Sequence, residues 1–441
     1  MKKYIEKKLR ILEVLRLSFP AILAQLTTII MQYIDSAMVG NLSANASASI
    51  GLVASTTWLF NGVTFGLSNG FSVQVAHHIG AKEIQETKKV VKNGLIFAVE
   101  VSTLLCLVAL FISNKLPVWL GGETSIQNDA ANYFFVFALM LPFSQLNSLC
   151  TAFLQAFGDM RTPSILNGFM CFLDVVFNAI FIPKYGVLGA SIGTTLACII
   201  VSFLMFFACC FFNKSLSIIN FKCNKLDINI LRKALKIGLP IALQEIAMCG
   251  AMVISTAIIA PLGSVAIAAN SFAITAESLC YMPGYGIGSA ATAIIGRNYG
   301  SGDYKSAKNY GKICTVLGGV FMGVTGAIMA VICPYVFAIL TPDQSVRNLA
   351  CEVLRIGLVA EPLFGVSIVA TGALCGVGDT LIPSVMNLGS IWCVRIVLAL
   401  ILVKPLGLHG MWLAMAVELC LRGVLLLWRQ MTSKHYKIPV Q

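Results

Sequence analysis

The stretch Gly158-Asp159-Met160-Arg161-Thr162-Pro163-Ser164-Ile165-Leu166-Asn167 returns 220 residues later as Gly378-Asp379-Thr380-Leu381-Ile382-Pro383-Ser384-Val385-Met386-Asn387. The same shift places Pro20 on Pro240, Leu42 on Leu262, Gly66 on Gly286, Gly80 on Gly300, Lys88 on Lys308 and Pro142 on Pro362. One constant offset held over about 150 residues marks an internal duplication. The matched residues are chiefly Pro, Gly and loop Asp, which set the backbone and do no chemistry. The chain is therefore two copies of one structural unit.

Composition says where that unit lives. Of 441 residues, 58% are hydrophobic and 11% charged, with a mean hydropathy of +0.85. An average soluble domain carries about 25% charged residues, and a soluble chain of this length would need roughly three polar surfaces. The charges cannot cover them. An ordinary soluble enzyme, a disordered chain and a nucleic-acid binder are all excluded. Apolar runs of membrane-spanning length fall near 14–37, 48–79, 92–113, 131–156, 163–183, 187–212, 234–260, 264–296, 313–340, 348–376, 382–403 and 408–429. The expected fold is an all-α polytopic membrane protein of twelve transmembrane helices in two six-helix bundles. Six is even, so both halves enter the bilayer in the same sense, as a parallel repeat about an axis along the membrane normal. The lobes are expected at 1–212 and 234–441, joined by a basic cytoplasmic linker at 213–233.

The net charge of +12 reads as topology. With the N-terminus inside, 24 of the 31 Lys and Arg fall in inner segments. Only Lys115, Lys184, Arg347 and Lys404 fall outside, and Arg355, Arg395 and Arg422 lie within spans. Basic residues collect in cytoplasmic loops, so both termini are expected in the cytoplasm and the chain in the cytoplasmic membrane. Met1–Arg10 is basic like the start of a signal peptide. The apolar run after it leads to Asp35 with no small-residue cleavage pattern, which reads as a retained first helix. The fifteen Cys stand mostly singly in apolar runs, in no metal-binding spacing, and read as small packing residues.

The repeated features resemble the multidrug and toxic compound extrusion family. The resemblance rests on Ser18-Phe19-Pro20, on Tyr33-Ile34-Asp35-Ser36-Ala37-Met38-Val39-Gly40, and on Gly158-Asp159-Met160-Arg161-Thr162-Pro163 with its partner Gly376-Val377-Gly378-Asp379-Thr380. Gly300-Ser301-Gly302-Asp303-Tyr304 adds the family's loop after the eighth span. It implies two six-helix bundles flanking a cleft that opens alternately to each side. It also implies export of amphiphilic, usually cationic compounds in exchange for entering H⁺ or Na⁺.

Ionisable groups inside spans are costly and are functional candidates by default. Asp35 lies in the first span beside Gln32 and Ser36, with no base near it in sequence. Burial disfavours its charged form, so a proton can be held there and released as access changes. The first-helix Asp of the family stands at this place in the motif. At the 220 offset its counterpart is Ser255, so the duplication does not require the acid. Asp174 and Asn178 stand four apart on the fifth span, hence on one face. Some family members carry Asn-x-x-x-Asp where this chain carries Asp-x-x-x-Asn. Asp35, Asp174 and Asn178 are the expected ion-coupling residues, with Na⁺ at Asp35 and Asp174 as the metal alternative to a proton.

A second polar set, for substrate or for the second lobe, comprises Gln32, Asn61, Glu245, Glu277, Tyr281, Glu361 and Arg395. Glu245 falls in the seventh span in a register different from the Glu of one family branch, and Phe364 stands where that branch has a tenth-span Asp. Arg395 is expected to pair with Glu361 or Glu277, and Glu418 with Arg422 at i,i+4. Trp58, Tyr285 and Trp392 add aromatic faces for an amphiphile.

Gly66-Leu67-Ser68-Asn69-Gly70 matches a hydrolase elbow, but it lies inside an apolar span without the strand that elbow needs. Gly62, Gly66 and Gly70 at four-residue spacing suit close helix packing instead. No Walker-type loop occurs. The chain is read as a secondary-active antiporter and no enzyme, without a cofactor, coupled to H⁺ or Na⁺. Its expected partners are the bilayer and small amphiphilic substrates, no nucleic acid, and it is expected as a monomer. The alternative is a flippase for a lipid or lipid-linked saccharide, whose anionic cargo would use the membrane Arg residues.

Overall fold

The computed structural model describes residues 2–40, 42–213, 215–218, 227–341 and 343–436. Lys214, Lys222, Lys225 and Lys437 of the topology count, and residues 214 and 219–226 of the 213–233 linker, lie outside the described residues. In chain order the helices are α1 Lys2–Gly40, α2 Ala44–Gly80, α3 Ile84–Ile112, the short α4 Leu116–Trp119, α5 Thr124–Phe157, α6 Arg161–Tyr185 and α7 Val187–Phe207. The second half runs α8 Ile228–Ile259, α9 Ser264–Gly300, α10 Tyr304–Leu340, α11 Gln344–Leu358, α12 Glu361–Gly376, α13 Leu381–Gly389, α14 Val397–Leu406 and α15 Leu408–Thr432. A π segment at Ala208–Phe212 extends α7, and another at Ser390–Ile396 joins α13 to α14. Among the described residues there is no strand.

Among the described residues eleven helices are long and apolar enough to cross a membrane, and the pair α11–α12, bent by 54°, brings the number to twelve when taken as one span. The bend falls just before Pro362, which lies in the first turn of α12. A proline there has no N–H to continue the preceding helix, and its ring clashes with the turn before it. Pro142, its repeat partner, sits inside an unbroken α5, so the bend is particular to the second half.

The duplicated stretch that identifies the repeat is a helix stop followed by a helix start. Gly158 closes α5 at φ 101° and Gly378 follows α12 at φ 80°, a left-handed conformation that costs glycine little. Asp159 N–H and Asp379 N–H donate back to Leu154 O and Leu374 O, each at 2.9 Å. Asp159 Oδ1 then accepts from the backbone N–H groups of Arg161 and Thr162 at the start of α6. Asp379 is used differently, taking two hydrogen bonds from Arg429 at 2.9 and 2.7 Å.

The chain packs into two units, but the division does not fall at the linker. One unit holds residues through Leu26 together with those from Ile246 onward; the other is Thr27–Glu245. The expected lobes 1–212 and 234–441 thus each give up one helical segment. Glycine is the physical reason. A Cβ on Gly286 of α9 would stand 2.6 Å from Ile22 N, so α1 lies backbone to backbone against the second-half helix. A Cβ on Gly66 of α2 would stand 2.7 Å from Ala242 N and 2.8 Å from Gly238 O, so α8 lies the same way against the first half. Gly66 and Gly286 are repeat partners, so the two exchanges are equivalent. In the unit containing Ile246, Val14 and Ile22 are buried in one cluster with Ile287, Ala291, Ile294 and Leu374. In the unit Thr27–Glu245, Phe71, Val75, Leu149 and Phe153 anchor the main cluster.

Candidate ion-coupling site

In the unit Thr27–Glu245, three of the expected residues meet. Asn178 Nδ2 donates to Asp35 Oδ1 at 2.8 Å and to Asp174 Oδ2 at 3.3 Å. Asp174 and Asn178 are both 0% exposed and Asp35 is half-buried. The pairing follows from helical geometry, because residues four apart share a face and α6 turns that face toward α1. Asp174 Oδ1 and Asn178 Oδ1 have no hydrogen-bond partner among the described residues. Tyr133 of α5 and Thr194 of α7 adjoin the same carboxylates. Among the described residues no Lys or Arg forms an ion pair with either acid. The site is two carboxyl groups in direct contact with each other, both reached by one amide, with no Lys or Arg paired to them among the described residues. One proton or monovalent cation would take its charge from −2 to −1, in a setting where uncompensated charge is expensive.

One neighbour is invisible to the sequence motif. Gly193 of α7 faces Asn178, and a Cβ there would overlap Asn178 Oδ1 while standing 3.1 Å from its Cγ and backbone N. The only sequence signal for it is that Gly189 and Gly193 share one face of α7 at four-residue spacing.

The second polar set is divided between the two units. Gln32, Asn61 and Glu245 belong to the unit Thr27–Glu245, and Glu277, Tyr281, Glu361 and Arg395 to the other. Glu245 packs against α2, where a Cβ on Gly62 would stand 2.6 Å from Glu245 Cβ. Gln32, Asn61 and Trp58 are exposed. In the other unit, Glu361 is 1% exposed with neither carboxylate oxygen hydrogen-bonded, and Glu277 Oε1 is likewise without a partner. The two acids are near enough to repel each other. Tyr281 packs on Phe364 at 5.5 Å and on Tyr285 at 6.2 Å between ring centroids.

The expected pairing of Arg395 with Glu361 or Glu277 is not made. Arg395 donates twice to Glu418, at 3.1 and 2.7 Å, because its π segment packs on α15. Glu418 is also paired with Arg422 at 3.0 Å, as its i,i+4 spacing predicts, and accepts from Ser390 Oγ at 2.7 Å. Two bases therefore share one buried acid, while Glu277 and Glu361 have no direct ion pair among the described residues. Arg355 is exposed and donates to Ala330 O at 3.2 Å. Among the described residues no group of His, Cys, Asp and Glu has a metal-binding arrangement.

Twelve helical spans in two repeated sets of six, carrying buried unpaired acids within the spans, define a polytopic membrane transporter rather than an enzyme. The MatE family model matches residues 20–180 and 240–401, one match per repeat, and the chain belongs to that multidrug and toxic compound extrusion family. It is 24% identical over 440 residues to a probable multidrug resistance protein NorM of Thermotoga maritima, covering 97% of this chain and 94% of that one. It is 25% identical over 437 residues to the multidrug resistance protein NorM of Burkholderia vietnamiensis, covering 94% and 92%. Its fold matches a crystal structure of a MATE protein in the straight conformation, with a TM-score of 0.92, 20% identity and 97% of each chain covered.

Proposed function

We propose that the protein is a secondary-active antiporter that exports amphiphilic, cationic organic compounds, drugs among them, in exchange for H⁺ or Na⁺ by alternating access. The relatives named for multidrug resistance support the export half of this reading. One observation carries the coupling half: the Asp35–Asn178–Asp174 cluster, buried, acidic and without a basic partner. A cation bound there reduces the buried charge, and its release restores it, so occupancy biases which access state is favoured. One entering charge contributes about 2.3 kcal/mol per 100 mV of membrane potential. At about 1.4 kcal/mol per decade, that supports roughly 40-fold outward accumulation of a neutral solute. A one-for-one exchange for a monovalent cation is electrically silent and runs on the concentration gradient of the ion alone.

The Lys and Arg distribution supports both termini in the cytoplasm and the cytoplasmic membrane as the site of action. The flippase alternative rests on Arg355 and Arg395, and the pairing of Arg395 with Glu418 weighs against it. The test is uptake of a fluorescent cationic dye into inverted vesicles under separately imposed pH and Na⁺ gradients. Asp35→Asn and Asp174→Asn are expected to abolish gradient-driven uptake while leaving the protein folded. Full ion-driven uptake in both variants would overturn the assignment.

A further inference from the structure

The last turn of α15 and the 3-10 turn Lys434–Tyr436 lie against the start of α10 and enclose a cavity of about 270 Å³. Lys308 and Lys312, one helical turn apart on α10, line it together with Thr315, Gln430, Met431 and Tyr436. Neither lysine has an ion pair or hydrogen bond among the described residues. Gln430 is 5% exposed; its carbonyl accepts from Thr315 Oγ1 at 2.9 Å, and its amide also meets the Tyr436 hydroxyl. The cavity is thus mainly apolar, walled by Val316, Leu427 and Met431, with the two lysines and Gln430 among its lining residues.

The duplication supplies an internal control. Lys88 and Lys92 are the repeat partners of Lys308 and Lys312, so the lysine pair alone is common to both halves. The rest of the lining is not. Leu95 stands opposite Thr315. Gly407 follows Gly186 by 221 residues with nearly the same backbone angles, which sets Cys209 opposite Gln430. Leu216 N–H donates to Asn213 O as Tyr436 N–H donates to Ser433 O, which sets Leu216 opposite Tyr436. Cys209 and Leu216 are fully buried, and Phe206, Phe207 and Phe211 pack on one another with centroids 5.1 to 6.3 Å apart. Where the first half has Leu95, Cys209 and Leu216, the second half has Thr315, Gln430 and Tyr436, which line the cavity.

We propose that this cavity binds an anionic phospholipid, with the phosphate against Lys308 and Lys312, a glycerol or phosphate oxygen on Gln430 Nε2, and the upper acyl chain along Met431 and Leu427. Basic pockets between transmembrane helices suit anionic head groups, and free phosphate would leave the apolar wall and most of the volume unused. Native mass spectrometry of the full-length protein would compare palmitoyl-oleoyl phosphatidylglycerol with the phosphatidylcholine of the same chains. The glycerol lipid is expected to be retained, and the Lys308→Gln/Lys312→Gln variant to weaken it about 30-fold, at roughly fivefold per lysine. The Lys88→Gln/Lys92→Gln variant is expected to leave it unchanged. Thr315→Leu/Gln430→Leu, which puts apolar bulk and no amide into the cavity, is expected to lose the lipid with both lysines in place. Equal retention of the two lipids, an equal loss in the Lys88/Lys92 variant, or displacement by glycerol 3-phosphate alone would overturn the proposal.

Discussion

Gly193→Ala tests the ion-coupling geometry without touching an ionisable group. The new methyl would overlap Asn178 Oδ1 and crowd its Cγ and backbone N at 3.1 Å. The backbone N is fixed in α6, so the amide must turn away. That breaks the 2.8 Å bond to Asp35 and the 3.3 Å bond to Asp174. A hydrogen bond to a charged group contributes about 1.5–3 kcal/mol, which at 1.4 kcal/mol per decade shifts an ion affinity about 10- to 100-fold. The assay is dye uptake in inverted vesicles as a function of the driving ion. The sign names the ion. Ionised carboxylates that lose their donor hold a proton more tightly, whereas a Na⁺ site that uses Asn178 Oδ1 loses a ligand and weakens. Asn178→Ala should shift the half-saturating concentration by a similar amount. The double variant should equal Asn178→Ala alone, because with no amide present there is nothing for the methyl to displace. A wild-type ion dependence in Gly193→Ala, or additive effects in the double variant, would refute the reasoning.

Three further outcomes follow from the packing. Glu418→Gln should lower thermal stability in detergent by about 3–5 kcal/mol, since it leaves Arg395 and Arg422 buried without their acid, whereas Glu361→Gln should be neutral or stabilising because neither carboxylate oxygen has a partner. Gly66→Ala and Gly286→Ala should each cost about 1–3 kcal/mol or more, because the new methyl meets the backbone of Ala242 or Ile22, which cannot rotate aside; melting temperature checks this, and an unchanged value would mean the helices are less close than described. Asp303 caps α10 by accepting from Ser306 N–H at 2.9 Å, and that bond, with the Ser306 hydroxyl, holds its carboxyl below the ordinary range. The cap is therefore present above the unfolded carboxyl range and lost as pH falls through the depressed value; Asp303→Ala should cost about 0.5–2 kcal/mol near neutral pH and converge with the parent in acid.

Much of the site was legible because the membrane makes charge conspicuous. In a chain with 11% charged residues, Asp35 and Asp174 stand out by being ionisable in apolar runs, and Asn178 is tied to Asp174 by the helical repeat alone. Gly193 did not stand out, because its importance lies in what a neighbouring helix brings against it. Arg395 was assigned the wrong acid for a related reason. Glu277, Glu361 and Glu418 are all within reach of some helix arrangement, and only the packing of the π segment on α15 selects Glu418.

The sequence by itself determined the class of fold. Hydropathy over span lengths, the 220-residue duplication and the placement of Lys and Arg are properties of single segments, and the bilayer imposes them on each segment separately. Which unit each half-helix joins was decided only in three dimensions. The linker composition suggests a division near 213–233, yet residues through Leu26 pack with the second half and those through Glu245 with the first. The contacts responsible are glycine-to-backbone approaches at Gly66 and Gly286, where the absence of a side chain lets another helix in. A sequence shows that a glycine is present; which backbone fills the space it leaves depends on every other helix in the bundle.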